Sequence, residues 1–377
     1  MALLAALLVL VSLPAPARAE AVDAVTCRDV LTSISVPGAA PGSIYGRYCH
    51  TAAANGNPLQ ILVPGVTYTH VYWDLPGFDG RYSYAAFMNR HGYDTLAIDR
   101  LGIGRSTRPT LAMNVDAYAN ADALHQVVGS VRTNGLAGRH YERIVLTGHS
   151  YGTLTSDLTA ATYGGVDGII GTGWLRQPTP LGLIGVLTSF WSAPMDPKFR
   201  GAVVDPGYVT TRPGVRGFFY EASDTDPAVI AGDEETKDTA SSAEMTYLVP
   251  ANTGMTTRIG APTLRIIGER DRVICNPDPC TQQWLDETTP ALFPAGVEAY
   301  AQPGAGHNIA LERGNAGGFE AALSWLERGS PLGDHRQHAR QQERERPKKW
   351  KLPLSCAFVT QPEVAVSWLL LTVGGRS

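Results

Sequence analysis

Short, continuous apolar runs recur along this chain, each bounded by turn residues and set among segments of helical pattern. PLQILVPG (residues 58–65), YDTLAIDR (93–100), ERIVLTG (142–148), VDGIIGTGW (166–174), PTLRIIGE (262–269) and VEAYAQPG (297–304) read as strands. A strand that is apolar at successive positions cannot leave one face in water, so its sheet must be covered on both sides. Between these runs lie AYANADALHQVVGSVRTN (117–134), stopped by Gly135, then YGTLTSDLTAATY (151–163) and the amphipathic GGFEAALSWLER (317–328). Strands of this kind alternating with helices predict an α/β fold with a mostly parallel sheet.

From Trp174 to Arg258 the alternation stops. A compact domain seldom carries a structureless loop of roughly 85 residues. The stretch, rich in Pro, Gly, Thr and aromatic residues, is therefore expected to be an inserted helical cap of about residues 175–258, with the sheet resuming at Pro262.

Both ends differ from the body. Residues 1–19 hold an apolar run of about a dozen residues and an Ala17-Arg18-Ala19 cleavage pattern, which reads as a signal peptide. The run falls short of the ~20 residues a stable membrane span needs. Residues 330–377 turn abruptly polar and basic, then apolar without period, and are expected to be a disordered or misread extension outside the fold. The net charge of −4 conceals this division, because residues 20–329 carry 22 basic against 31 acidic side chains. An acidic body argues against nucleic acid as a partner. Export makes the cysteines readable as disulfides. Four of the five, Cys27, Cys49, Cys275 and Cys280, allow three pairings. The sequence-near choice is Cys27–Cys49 with Cys275–Cys280, the second closing CNPDPC; free buried thiols are the alternative. No C-x-x-C pair or histidine cluster suggests a metal, and no cofactor is expected.

Ser150 sits in GHSYG, directly between a strand and a helix. A strand that turns straight into a helix forces its tip residue into a strained conformation, and Gly148 and Gly152 leave room for the crossing chain. The serine hydroxyl then stands clear, beside the helix N-terminus. Serine is a poor nucleophile at neutral pH and needs a base, which needs an orienting carboxylate. Asp271, four residues past Ile267, suits the carboxylate; Glu269 is the near rival but falls close to the strand end. Of nine histidines, six precede Ser150 and His335 and His338 lie in the tail, leaving His307 in GAGHN as the base. The negative charge that develops in acyl transfer needs two backbone donors. Tyr151 should give one; the loop after the first apolar run should give the other, from Val66 or Thr67, with Val66 preferred.

The order Ser150, Asp271, His307, together with VPGVT, IDRLGIGRS, GHSYG, GERD and GAGHN, resembles the α/β-hydrolase superfamily over roughly residues 58–328. The resemblance implies about eight strands, a hydrolase domain spanning residues 20–329 and a structural role for Asp99 in the D-x-x-G-x-G-x-S turn. A serine at the elbow excludes the members that use aspartate there. It implies an acyl-enzyme, hence a secreted carboxylic ester hydrolase with a small, apolar ester as substrate. An exopeptidase of the same fold is the alternative, and a non-catalytic binding module is a more distant one. Phe190, Trp191, Phe218, Phe219 and Tyr220 of the cap, with Tyr68, His70, Tyr72 and Trp73, are candidates for an aromatic pocket wall or for ordinary packing.

Overall fold

The computed structural model describes residues 25–52, 56–248, 254–275 and 279–328. The expected signal peptide, the 330–377 tail and Cys356 lie outside these residues.

All six sequence-read strands are present: β3 (Leu59–Val63), β4 (Thr95–Ile98), β5 (Ile144–His149), β6 (Gly168–Thr172), β10 (Thr263–Gly268) and β11 (Val297–Gln302). They run parallel in the order β4-β3-β5-β6-β10-β11. Two further strands, β1 (Thr26–Ile34) and β2 (Gly42–His50), extend the β4 edge antiparallel, giving eight strands in one sheet. Cys27 and Cys49 face each other across β1 and β2 and are disulfide-bonded, as are Cys275 and Cys280.

The pleat divides the sheet's apolar residues between two cores. Leu59, Ile61, Val63, Ile144 and Leu146 pack with Leu124, Val127, Val128 and Val131 of α2 (Ala117–Asn134). Leu62, Val145 and Ile170 share the other core with Met88 of α1 (Tyr84–Arg90) and Phe319, Trp325 and Leu326 of α8 (Asn315–Glu327). Each such side chain, fully buried, contributes about 1.5–3 kcal/mol. Helix α2 starts where the Asp116 side chain accepts the Ala119 N–H and stops at Gly135, whose φ is +69°. The elbow helix is α3 (Tyr151–Tyr163); α7 (Gln282–Thr288) precedes β11.

The stretch between β6 and β10 contains helices, as expected: α4 (Pro180–Ser189), α5 (Pro227–Thr236) and α6 (Ser242–Thr246). It also holds an antiparallel sheet that the sequence did not announce, in the order β7 (Phe190–Ser192), β8 (Tyr208–Thr211) and β9 (Ala240–Ser241). The insertion is stitched to the parallel sheet's loops. The Asp238 N–H donates to the Thr67 carbonyl at 2.9 Å, and the Asp238 carboxylate accepts the Gly104 N–H at 3.0 Å and pairs with Arg108 at 2.6 Å. Glu244 pairs with Arg100 where both are buried.

Candidate active site

At the end of β5 the backbone reverses into α3 with Ser150 at φ +51°, ψ −120°. A left-handed φ is costly for a residue with a side chain and persists only where neighbours enforce it. Here they do. A Cβ at Gly148 would stand 2.5 Å from the Thr153 backbone, and one at Gly152 would stand 2.1 Å from the Val63 carbonyl oxygen. The Ser150 N–H is spent on the Thr172 carbonyl of neighbouring β6, at 2.8 Å.

The loop after β11 delivers His307. Its Nε2 lies 2.8 Å from Ser150 Oγ, and its Nδ1 lies 2.8 Å from Asp271 Oδ2. Asp271 leaves β10 in a turn in which its Oδ1 accepts the N–H groups of Val273 at 2.8 Å and Ile274 at 3.1 Å. It is fully buried, and every partner it has is a donor. An ionised carboxylate only accepts, so Nδ1 carries the imidazole proton and Nε2 is left to receive the serine's. Glu269, the near rival, turns elsewhere: its Oε2 accepts the Gly304 N–H at 3.0 Å and so anchors the start of the His307 loop.

Val66 lies in a turn closed by the Tyr68 N–H on the Gly65 carbonyl at 3.3 Å, with Thr67 at φ +62°. Gly65 passes so near the elbow that a Cβ on it would be 3.3 Å from Ser150 Cβ. Tyr151 is the first residue of α3, and its buried ring lies under the Arg100 guanidinium, 4.9 Å from the centroid. Arg100 also donates to the Pro64 carbonyl at 3.0 Å and the Gly65 carbonyl at 3.3 Å. Asp99 accepts the His70 N–H at 2.7 Å and the Arg105 N–H at 2.8 Å, so it organises its own loop.

The aromatic candidates separate. Tyr72 stacks flat on His149 with centroids 4.1 Å apart, and Tyr68 meets the same ring edge-on. Phe219 lies 5.9 Å from His307, and its carbonyl accepts the N–H groups of His307 and Asn308. Tyr220 is buried on Asp233, Trp73 packs on Tyr84, and His70 is held by Asp99. Phe190, Trp191 and Phe218 are half-buried within the insertion.

Several polar residues around the site had no signal in the sequence. His149 is buried beside His307, and desolvation first and the neighbouring imidazole second hold its pKa well below the usual 6.5, so it is neutral. Its Nε2 faces Asn308 Oδ1 at 3.2 Å, and its Nδ1 faces Thr172 Oγ1 at 3.1 Å. Asn308 Nδ2 donates to Tyr68 Oη at 2.7 Å. Glu312 accepts the Gly306 N–H at 2.7 Å and the Glu221 N–H at 3.0 Å, tying the His307 loop to the insertion. Burial pushes its carboxyl up to about 7 against the stabilising effect of those two donors. Only Asn308 carried a hint, its place next to His307.

The model of the Alpha/beta hydrolase family matches residues 60–319. The chain belongs to this family. This α/β hydrolase resembles solved structures along most of its length. An esterase from Exiguobacterium antarcticum aligns at 14% identity over 78% of this chain and 99% of its own, with a TM-score of 0.54. A soluble variant of monoglyceride lipase from Saccharomyces cerevisiae aligns at 16% identity over 84% of this chain and 99% of its own, also at 0.54. A putative aryl esterase from Burkholderia cenocepacia aligns at 17% identity over 80% of this chain and 98% of its own, at 0.53. At these identities the likeness is one of fold. No curated protein sequence matches the chain.

Proposed function

We propose that this α/β hydrolase is an exported serine esterase that cleaves carboxylic esters through an acyl-enzyme. The observation that carries the reading is the continuous chain Ser150 Oγ, His307 Nε2, His307 Nδ1, Asp271 Oδ2, with both contacts at 2.8 Å, mounted on a left-handed elbow. As Ser150 Oγ attacks the ester carbonyl, His307 Nε2 takes its proton. The Asp271 carboxylate stabilises the imidazolium and keeps its orientation. The N–H groups of Val66 and Tyr151 receive the oxyanion, the positive end of α3 adding to the second. His307 returns the proton to the departing alcohol. Water, deprotonated by the same nitrogen, then attacks the acyl-serine, and the free acid and the serine hydroxyl are restored.

Two features favour esters. The rings nearest the reacting atoms are Tyr72, Tyr68 and Phe219, an apolar surround suited to an uncharged acyl group. The similar folds named above include an esterase and a lipase. Export is supported by the N-terminal apolar run and by two disulfides, and no helix among the described residues is long and apolar enough to cross a membrane.

A serine-reactive fluorophosphonate tests the class of chemistry. Labelling at Ser150, mapped by peptide mass spectrometry and lost in Ser150→Ala, is the expected result. Absence of label on the folded wild type would overturn the reading.

A further inference from the structure

The Val66–Thr67 turn is held in a conformation its own sequence disfavours. Thr67 is β-branched, yet it sits at φ +62°, where glycine or asparagine is the usual occupant. Such an outlier persists only when its surroundings over-determine it, and here the surroundings belong to the insertion. Arg216 Nη1 donates to Thr67 Oγ1 at 2.7 Å, and the Asp238 N–H donates to the Thr67 carbonyl at 2.9 Å. The Arg216 guanidinium also lies over the Tyr68 ring, 4.2 Å from its centroid, and is itself paired with Asp233. Arg216 and Asp233 are each 1% exposed.

Asp233 does more than neutralise Arg216. Its Oδ2 accepts Tyr220 Oη at 2.8 Å and Tyr68 Oη at 3.2 Å. Since Tyr68 donates there, it accepts from Asn308 Nδ2, which leaves Asn308 Oδ1 to accept from His149 Nε2 and His149 Nδ1 to accept from Thr172 Oγ1. Every proton in this chain points the same way, from the end of β6, past the residue before Ser150 and the residue after His307, to a carboxylate of the insertion.

We propose that the buried Arg216–Asp233 pair is the positioning element of the acyl-transfer site: Arg216 fixes the Thr67 turn that aims the Val66 N–H, and Asp233 terminates the hydrogen-bond chain that fixes Asn308 beside His307. This rests on the serine-hydrolase reading above. The second buried pair, Arg100–Glu244, follows the same plan, since Arg100 grips the Pro64 and Gly65 carbonyls of the same turn and Glu244 belongs to the insertion. The oxyanion turn is therefore set from the insertion on both sides. Neither Arg216 nor Asp233 touches the reacting atoms, so the effect of losing them falls on turnover rather than on binding.

The test separates positioning from mere support. Thr67→Gly relieves the left-handed strain while removing the hydroxyl that Arg216 holds. With p-nitrophenyl acetate as probe, its kcat should fall on the order of 10- to 100-fold, below the 10²–10³-fold loss typical of deleting an oxyanion donor outright. Its KM should stay within about threefold and its melting temperature at or near that of wild type. Thr67→Ser, which keeps the hydroxyl, should recover most of the lost kcat. If Thr67→Gly does not fold, Tyr68→Phe, which removes one hydroxyl and keeps the ring, should lower kcat about tenfold with the pH profile unmoved, because Asp271 still faces His307. An active wild type whose Thr67→Gly and Tyr68→Phe variants keep its kcat overturns this proposal and leaves the esterase reading standing. A wild type that neither turns over the ester nor takes up the fluorophosphonate overturns both.

Discussion

Gly152 leaves no room for a side chain against Val63: a Cβ there would stand 2.1 Å from the Val63 carbonyl oxygen and 2.6 Å from that of Pro64. Both obstacles are backbone atoms of β3 and the loop that follows it, so they cannot swing aside as a side chain would. The elbow therefore depends on this glycine more than on the left-handed tip it supports. Gly152→Ala is expected to destabilise the chain by about 1–3 kcal/mol, and more if β3 cannot shift. It should also lower turnover, since the displaced loop carries Val66. Chemical denaturation beside ester kinetics on the folded fraction checks both effects.

Asp271 and Glu269 stand two residues apart and do different work. Asp271→Asn keeps the shape but presents an amide to His307 Nδ1, favouring the wrong tautomer. Turnover should drop on the order of 10³- to 10⁴-fold. Glu269→Gln retains an oxygen for the Gly304 N–H and should cost less than about tenfold. Parallel kcat measurements decide the assignment; equal losses in the two variants would count against Asp271 as the partner of His307.

The structure explains why one of these acids could be chosen from sequence and why other features were hidden. Strand β10 ends at Gly268, so Glu269 is the first residue beyond it and Asp271 lies in the following turn. Strands β3, β5 and β6 were legible because every residue in them is buried, which forces a continuous apolar run. Strand β1 was not, because TCRDVLTSI lies mostly exposed at the sheet edge and carries no such pattern. The insertion's sheet escaped notice because β7 has three residues and β9 two, too few to show a period. Arg216 and Asp233 were invisible for a related reason. Buried ion pairs in irregular backbone follow the three-dimensional course of the chain and leave no spacing to read.

Glu312 makes the link between insertion and His307 loop sensitive to pH. Its carboxyl rises from an ordinary 4.5 to about 7 on folding. Between those values the folded chain holds a proton that the unfolded chain has released. The resulting stabilisation is complete below about 4.5 and is lost as pH climbs through about 7. Glu312→Gln, always neutral, should remove that part of the slope. Melting temperatures of the two proteins between pH 4.5 and 8 should converge at the acid end and separate in favour of the variant toward pH 8. Parallel curves would show that Glu312 does not titrate in this range.

The central claim is that Ser150 is the nucleophile of an ester-cleaving acyl transfer, and the most direct test is steady-state hydrolysis of p-nitrophenyl esters of graded acyl length by wild type and Ser150→Ala. The account predicts turnover by wild type, falling with acyl lengths the aromatic surround cannot admit, and a loss on the order of 10⁴- to 10⁶-fold in the variant. A folded Ser150→Ala protein that hydrolyses these esters at the wild-type rate would contradict it.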